Sequence, residues 1–275
     1  MSVALRVPRT EQPAYRVRID PVWRLRPELV FVGSAPAVDW ANDTPWTRGA
    51  AVTSAPGVPG MGAGFPGGLG TAGNVITRGG GDTSAQTKVT FVAVARISAS
   101  GYYPTIVSLK GGNTTNQGLY LGDKGGTGNA IGVIKGGVVA LNAVTLAAGT
   151  YVFVASHRQD TGEYYMLARN LATGRISVAT QTNTSASTGG NGTYAIGASR
   201  PDTAALNGAV YLAFASFDFL PRAAGQRLLL NPWQLFAPIE RRSWASVGAS
   251  APALIAASAI NVTSTSFRPR VTFTR

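Results

Sequence analysis

Nine short apolar runs follow one another between residues 88 and 219, and they limit the fold of this chain more than any other feature. The runs are rich in Val, Ala, Tyr and other strand formers, and turns such as Asp160-Thr161-Gly162 and Ala172-Thr173-Gly174 separate several of them. Many short strands at nearly regular spacing, without helices between them, are typical of an antiparallel sandwich or barrel. The two turns further predict a three-stranded meander over residues 151–180.

The composition favours the same all-β fold class. Of the 275 residues, 45% are hydrophobic, only 13% are charged and 34 are glycine, which suits short strands joined by tight turns. There is no cysteine, so disulfides, thiolate nucleophiles and Cys-type zinc sites are excluded. No apolar run approaches the roughly 18 residues of a membrane span, and the N-terminal residues lack the apolar core of a signal peptide. We therefore expect a soluble protein that is made in the cytoplasm and inserts into no membrane.

The net charge of +12 is spread along the chain rather than gathered on one helix. The densest unopposed block is residues 241–275, which hold 5 basic and 0 acidic side chains. Because nucleic-acid binders usually concentrate their charge on one face, nucleic acid is not the partner that we expect. Basic tails often dock on acidic protein surfaces instead.

Residues 15–26 alternate apolar with basic side chains, which is the pattern of a strand-like arm. The apolar set is Tyr15, Val17, Ile19, Trp23 and Leu25, and the basic set is Arg16, Arg18, Arg24 and Arg26. Such an arm has too little apolar area to fold alone, so it must lie along its own domain or along a neighbouring subunit. We predict that its apolar side chains contact a neighbouring subunit or a different protein, and that its arginines face acidic surface or solvent.

The segment LLLNPWQLFAPIERRSW, residues 228–244, follows the last apolar run with two tryptophans and a proline. A helix signal opens at Pro221 and stops at Asn231-Pro232. Beyond this break, three apolar side chains are expected to pack across the sandwich as a clasp that closes the domain. These are Trp233, Leu235 and Phe236. An exit segment that we expect to contact a partner then begins with Arg241, Arg242 and Trp244.

His157 is the single histidine of the chain, and Ser156 and Asp160 lie near it in sequence. Because adjacent strand residues point to opposite faces of a sheet, Ser156 and His157 should not face each other. We therefore expect a strand-end histidine that hydrogen-bonds a neighbouring loop, with a Ser-His-Asp catalytic arrangement as the alternative.

Asp218 is the one acid inside an apolar strand run. We expect a structural carboxylate that accepts hydrogen bonds from backbone amides at the start of the following helix. A calcium ligand is the alternative, although Ca²⁺ generally takes more than one carboxylate. The sequence thus predicts no catalytic residue and no metal site, and Ca²⁺ is the one cofactor that it leaves open.

The polar run at residues 113–117 offers amide and hydroxyl groups that can hydrogen-bond sugar hydroxyls. Its candidate glycan-binding residues are Asn113, Thr115, Asn116 and Gln117. Glycoside hydrolysis needs two carboxylates that flank the scissile bond, whereas most acids of this chain lie at turn tips or in the arm. Because polar loops are common, an ordinary loop without a glycan role is the alternative for this run.

Residues 88–236 resemble the laminin-G-like, concanavalin A-type jelly-roll domain. The matching segments are TFVAVARIS, TIVSLKGG, TYVFVASHRQDTGEYYMLARNLATG and LNGAVYLAFASFDFLPRAAGQRLLL. The resemblance implies an antiparallel jelly-roll β-sandwich over residues 50–240. It leaves residues 1–49 as an extended N-terminal arm and residues 241–275 as a C-terminal extension with a strand pair. The calcium-site acids of the family have no clear match in this sequence.

Two flanking segments are similar to segments that bracket this domain in proteins of tailed bacteriophages and prophages. They are VDWANDTPWTRG at residues 38–49 and NPWQLFAP at residues 231–238. The similarity implies a virion structural protein, either associated with a tail or fibre or decorating a capsid, that contacts other virion proteins and forms a homo-oligomer. A carbohydrate-binding adhesin for host-surface glycans is the alternative, and a glycan depolymerase ranks last.

Overall fold

The computed structural model describes residues 17–33, 38–49, 52, 57, 65–67, 76–81, 83, 85–98, 105–109, 119–123, 130–135, 139–185, 192–197, 206 and 208–238. The strands of the first half are β1 (Val17–Ile19), β2 (Pro27–Val32), β3 (Thr47–Arg48), β4 (Phe65–Gly67), β5 (Ile76–Gly80), β6 (Lys88–Ile97), β7 (Thr105–Leu109), β8 (Leu119–Asp123) and β9 (Ala130–Lys135). Those of the second half are β10 (Val139–Ala140), β11 (Val144–Thr145), β12 (Gly149–Arg158), β13 (Glu163–Asn170), β14 (Ile176–Thr182), β15 (Gly192–Ile196), β16 (Gly208–Ser216) and β17 (Phe236–Pro238). One α-helix, α1 (Arg222–Leu230), and two 3-10 turns, Pro21–Trp23 and Pro232–Leu235, complete the described elements.

The strands form two antiparallel sheets that pack face to face, which confirms the predicted all-β sandwich. The first sheet has the order β14-β13-β12-β6-β16-β2, with β4 also paired to β16. The second sheet has the order β10-β9-β8-β7-β15-β5-β3, with β11 also paired to β9. The predicted meander is β12-β13-β14, and its two tips carry Gly162 and Gly174 at φ +70° and +71°. Glycine adopts this left-handed conformation without a side-chain clash.

The central strands of the first sheet, β13, β12, β6 and β16, are buried on both faces, and this explains why they are almost continuously apolar. Phe91 and Phe153 point into the core between the two sheets, whereas Val92 and Val154 point to the opposite, outer face. There they belong to a second hydrophobic cluster, called the outer cluster here, against which α1 packs over β12 and β13. A sheet covered on both faces carries apolar residues at consecutive positions instead of alternating ones.

The N-terminal segment is placed differently from the predicted free arm. Strand β2 pairs with β16 and thereby forms an edge of the first sheet, within residues assigned from sequence to the arm. Trp23 and Leu25 are buried in the outer cluster of this same chain, and Ile19 packs against it. The physical reason is that α1 leaves part of the outer face uncovered, and these side chains cover it. Residues 17–32 are therefore part of the sandwich, whereas Tyr15 lies outside the described residues.

The C-terminal motif folds as a cap on the outer face of the first sheet. Helix α1 ends at Leu230 as predicted, and the side chain of Asn231 accepts a hydrogen bond from the backbone N of Trp233 at 3.2 Å. The three expected clasp residues are buried, but they pack in the outer cluster and not between the sheets. These are Trp233, Leu235 and Phe236. The predicted partner contacts Arg241, Arg242 and Trp244, and the C-terminal strand runs, lie outside the described residues.

Strand β17, which follows this cap, pairs with β1 so that Val17 lies opposite Pro238. The first and the last described residues are therefore neighbours. Within the described part of the chain, no helix combines the length and the hydropathy needed to cross a membrane.

Candidate functional site

The expected glycan-binding residues lie outside the described residues, but the structure fixes the two strands that carry them. Asn113, Thr115, Asn116 and Gln117 belong to the segment between β7 and β8. These strands pair antiparallel, with Leu109 opposite Leu119. The segment therefore leaves and re-enters the second sheet at one end of the β7–β8 pair.

Ser156 and His157 point to opposite faces of β12, as the sequence predicts. The Oγ of Ser156 accepts a hydrogen bond from the backbone N of Leu220 at 3.0 Å and lies 2.9 Å from the Oγ1 of Thr90. The Nε2 of His157 lies 2.8 Å from the carbonyl O of Asn183, and because a carbonyl only accepts, this nitrogen carries the proton. Asp160 is at an exposed hairpin tip. The three side chains do not form a catalytic triad, and His157 is the expected strand-end residue that bonds a neighbouring loop.

The hydroxyls of Thr90 and Ser156 instead hold the segment between β16 and α1. Thr90 Oγ1 donates to the carbonyl O of Asp218 at 2.7 Å, and the phenol of Tyr165 donates to the carbonyl O of Leu220 at 2.7 Å. Burial raises the pKa of Tyr165 well above its ordinary value, so the phenol remains a donor. These groups position the turn that delivers α1 onto the outer face.

Asp218 is a structural carboxylate, but its partners differ from those predicted. Its Oδ2 accepts hydrogen bonds from the backbone N of Arg26 at 2.7 Å and from the Oγ of Ser216 at 3.1 Å. Its Oδ1 lies 3.2 Å from the guanidinium Nη2 of Arg26. The reason is the pairing of β16 with β2, which brings Arg26 and not the first turn of α1 to the carboxylate.

The pKa of Asp218 and the metal alternative follow from these partners. Burial alone would raise the pKa of Asp218, but the hydrogen bonds from Arg26 and Ser216 and the charge of Arg26 outweigh burial and lower it. Because Arg26 already neutralises the carboxylate, Ca²⁺ would have to displace an ion pair to bind there. Within the described ranges, no three His, Cys, Asp or Glu side chains gather into a metal site.

The most elaborate polar cluster of the described residues was not predicted from the sequence. It is centred on Arg78 of β5, whose Nε donates to the Oδ2 of Asp39 at 2.6 Å. Its Nη2 donates to the carbonyl O of Glu28 at 2.7 Å. The guanidinium lies over the ring of Tyr194 at 4.6 Å and near the ring of Trp46 at 5.6 Å, both measured to the ring centroid.

This Arg78 cluster joins the two sheets. Glu28 belongs to β2 of the first sheet, whereas Arg78 and Tyr194 belong to β5 and β15 of the second. Asp39 is completely buried, and its Oδ1 accepts from the backbone N of Val30 at 2.8 Å. Arg78 and Tyr194 of the second sheet bond Glu28 of the first sheet, and Asp39 bonds both Arg78 and the backbone of Val30. The cluster therefore links the two sheets, and it is called the Arg78 fastener below.

Neither Asp39 nor Tyr194 of the fastener is poised for nucleophilic chemistry. Burial raises the pKa of Asp39, while hydrogen bonds from the backbone of Ala41 and the charge of Arg78 oppose that effect. Burial, followed by the neighbouring Glu28 carboxylate, raises the pKa of Tyr194 far above its ordinary value. The phenol therefore stays protonated and donates to the Oε1 of Glu28 at 2.7 Å. A nucleophilic tyrosine would need the opposite shift.

One sequence signal could have pointed to this fastener, namely the two tryptophans that make segment 38–49 stand out from its surroundings. The glycines after Arg78 pointed elsewhere, because they are typical of a loop. In the structure Gly80 is part of β5, and a Cβ at that position would lie 2.2 Å from the ring of Tyr194. The glycine is needed for the close approach of that ring.

Comparisons with known proteins support the fold. No protein-family model matches the chain, and no curated protein sequence matches it significantly. Among solved structures, a mutant of Trypanosoma rangeli sialidase displaying trans-sialidase activity is similar with a TM-score of 0.52 at 13% identity, over 79% of this chain and 34% of that one. The binding domain of botulinum neurotoxin DC, in complex with rat synaptotagmin II, is similar with a TM-score of 0.51 at 10% identity, over 74% and 51%.

Domain 4 of AbnA, an extracellular arabinanase from Geobacillus stearothermophilus solved in complex with arabinotriose, is also similar. Its TM-score is 0.51 at 12% identity, over 74% of this chain and 98% of that domain. The chain thus spans about a third of the sialidase but nearly the whole arabinanase domain. At these identities the likenesses show the β-sandwich fold and not the activity.

Proposed function

We propose that this chain is a bacteriophage virion structural protein whose lectin-like sandwich binds a carbohydrate of the host surface. The observation that carries the carbohydrate part is the correspondence of the sandwich with nearly all of a domain solved in complex with arabinotriose. The candidate contacts are the polar residues between β7 and β8, because amide and hydroxyl groups match the hydrogen-bonding groups of a sugar.

The virion part of the proposal is supported by the two segments that resemble phage sequences. In the fold they meet, since the rings of Trp40 and Phe236 lie 6.5 Å apart, centroid to centroid, with an edge-to-face orientation. The ladder of β1 with β17 follows directly, so the chain enters and leaves the sandwich side by side. The described chain therefore begins and ends at neighbouring positions, which suits anchoring in an assembly through one side of the sandwich.

The proposed role is binding without catalysis. Among the described residues, three groups that could serve as acid or base are engaged in structural contacts. His157 bonds Asn183, Asp39 bonds Arg78, and Asp218 bonds Arg26. Release of reducing ends from a host polysaccharide by the purified protein would contradict this part of the proposal.

The test of the carbohydrate part is glycan-array binding by the full chain, because β2 and Trp23 belong to the core and a fragment starting at residue 50 would lack them. Replacing the four polar residues between β7 and β8 by alanine should abolish binding and leave the melting temperature unchanged. A control variant, Thr145→Ala, alters an exposed strand position outside the segment between β7 and β8 and should bind as the wild type does.

The virion part is tested separately by labelling particles with an antibody to the protein and locating the label by electron microscopy. Label on particles together with no glycan binding would leave a structural protein without an adhesive role. Glycan binding by a protein that never appears in particles would refute the virion role alone.

A further inference from the structure

We propose that two copies of this chain associate through β14, whose exposed edge pairs antiparallel with β14 of the second copy. This association does not depend on the proposed carbohydrate binding. It also uses a different surface from the terminal segments that are proposed to anchor the protein. Three features of β14 carry the inference: its lack of edge protection, its exposed apolar face and the arrangement of its outward backbone groups.

Strand β14 is an edge without the usual protection. In the described part of the chain it pairs with β13 and with no second strand, and its register with β13 has no bulge. Its sequence, ISVATQT, contains no charge, no proline and no glycine. Natural edge strands are commonly protected by lysine, proline, bulges or a covering loop, because open edges pair with other chains. Asn142 covers this edge at Thr180, so the part of the edge around Ile176 and Val178 is the open pairing surface.

The outer face of β14 is also apolar and open to solvent. Ile176 and Val178 are 46% and 47% exposed, and Leu230 is 61% exposed. Arg169, which lies opposite Ile176 in the sheet, donates to the carbonyl O of Leu230 at 2.9 Å and so links the end of α1 to the start of β14. Among the described residues, the one other large apolar side chain this exposed is Val22. Clustering of this kind marks an interaction surface more strongly than single exposed residues do.

The backbone of β14 shows which groups are open. The N of Asn183 donates to the O of Gly162, and the O of Arg175 accepts from the N of Asn170. The backbone N–H and C=O groups of the odd-numbered residues are therefore directed towards β13. Because this direction alternates along an antiparallel strand, the backbone groups of the even-numbered residues are directed away from β13. One of their carbonyls, that of Thr180, already accepts from the Nδ2 of Asn142 at 2.9 Å. Before Thr180, the outward N–H and C=O groups for which the described residues supply no partner are those of Ile176 and Val178.

A second copy of the same strand matches this pattern. With Ile176 opposite Val178 of the second copy, a two-fold axis passes beside Ser177, and all the open groups of both residues are satisfied. With Val178 opposite Val178 of the second copy, the amide of Ile176 would need the carbonyl of Thr180, which Asn142 occupies. An isologous interface needs only self-complementarity, and this stretch of β14 is complementary to itself. The structure therefore favours a copy of this chain as the occupant.

The first test is sedimentation of the full chain over a concentration series, comparing the wild type with Val178→Lys and Val22→Lys. The wild type should dimerise, Val178→Lys should remain monomeric at the same concentrations, and Val22→Lys should behave as the wild type. Both changes place one lysine at an exposed apolar position, so they are matched in charge. Raising the salt concentration should strengthen the wild-type dimer, because it screens the repulsion between two chains of net charge +12. A monomeric wild type, or equal association of all three proteins, would overturn the proposal.

The second test fixes the register. The chain has no cysteine, so Ser177→Cys introduces a unique thiol. In the proposed register Ser177 faces its own counterpart as a non-hydrogen-bonded pair, at a Cα–Cα distance of about 4.5 Å, which a disulfide can bridge. Mild oxidation should yield covalent dimers of Ser177→Cys but not of Ala179→Cys, which lies on the same face two residues away. Failure of Ser177→Cys to cross-link, or equal cross-linking of both, would overturn the pairing.

Discussion

The indole Nε1 of Trp23 donates a hydrogen bond of 2.6 Å to the backbone carbonyl O of Gln234, across 211 positions of sequence. The backbone N of Asp20 donates to the carbonyl O of Leu235 at 2.8 Å in the same place. The clasp that the C-terminal motif suggests is therefore two-sided, since an N-terminal segment closes against it. Both halves cover the outer face of the first sheet, where α1 alone leaves apolar surface open.

Replacing Trp233 by alanine should destabilise the domain by about 3–5 kcal/mol, because it removes a large side chain from a packed cluster. Trp233 is buried and stacks on Phe236, with 6.2 Å between the ring centroids. Urea unfolding of the full chain measures the change. Val22→Ala, at an exposed position beside the same clasp, is the control and should alter the free energy of unfolding by less than about 0.5 kcal/mol.

The two clasp tryptophans should respond differently to phenylalanine. Trp23→Phe removes a donor and leaves the carbonyl of Gln234 without it, whereas the buried Nε1 of Trp233 has no hydrogen-bond partner among the described residues. Both changes shrink the ring by a similar volume. The free energy of unfolding should therefore fall further for Trp23→Phe, by about 1 kcal/mol, which is the usual net value of a hydrogen bond. Equal losses in the two variants would show that the Trp23 bond contributes nothing to stability.

Removing only one charged partner of the Arg78 fastener should strongly lower the free energy of unfolding. Arg78→Met leaves the buried carboxylate of Asp39 without its cation, and such losses typically destabilise a protein by about 3–5 kcal/mol. The double variant Asp39→Asn with Arg78→Met removes the buried charge as well, so it should be more stable than Arg78→Met alone. Chemical denaturation of the wild type, both single variants and the double variant gives the coupling energy. Strict additivity would contradict a direct interaction.

The effect of Gly225→Ala on stability depends on whether helix propensity or side-chain packing dominates at this position of α1. Alanine favours a helix interior over glycine by about 1 kcal/mol, but a Cβ at Gly225 would lie 2.5 Å from the phenol oxygen of Tyr165. That oxygen is held by its bond to Leu220, so overpacking should make Gly225→Ala destabilising by about 1–3 kcal/mol. In a Tyr165→Phe background the same change should cost less, because the nearest atom is gone. A stabilised Gly225→Ala protein would contradict this packing.

The central strands of the first sheet could be predicted because burial on both faces makes them continuously apolar. Strand β6, for example, is buried at nearly every position from Val89 to Ile97. The placement of Trp23 and Leu25 could not be predicted in the same way. Alternation shows which side chains share a face, but the surface that covers this face is set by β16 and α1, about 200 residues further along the chain.

The Arg78 fastener could not be predicted for a related reason. Its bond to Asp39 spans 39 positions, and the bond between Tyr194 and Glu28 spans 166. No periodic pattern connects such residues, and each occupies an unremarkable position in its own segment. The partner of Asp218 was missed likewise, because sequence proximity favoured the start of α1 over a strand that pairs from the far end of the chain.

Asp218 should make the stability of the domain depend on pH in the acidic range. Its pKa is lowered in the folded state from the ordinary value of 3.8, because hydrogen bonds and the charge of Arg26 favour the carboxylate. As the pH falls, the unfolded chain takes up the proton first. The stabilisation is therefore complete above the ordinary pKa and is lost as the pH falls through the lower, folded value. Asp218→Asn should melt below the wild type at pH 7, and this difference should shrink from about pH 4 downward.

Arg26→Gln provides the matched variant, because it removes the cation but keeps the backbone N that donates to Asp218. The side chain of Arg26 is 88% exposed, so salt screens its charge, and molar salt should bring the wild type closer to Arg26→Gln. The bonds from the Arg26 backbone N and from Ser216 do not depend on that charge, so part of the pH dependence should survive in salt. Thermal melts of the three proteins from pH 3 to pH 7 measure both effects. A gap between the wild type and Asp218→Asn that stays constant over this range would contradict the structural role given to the carboxylate.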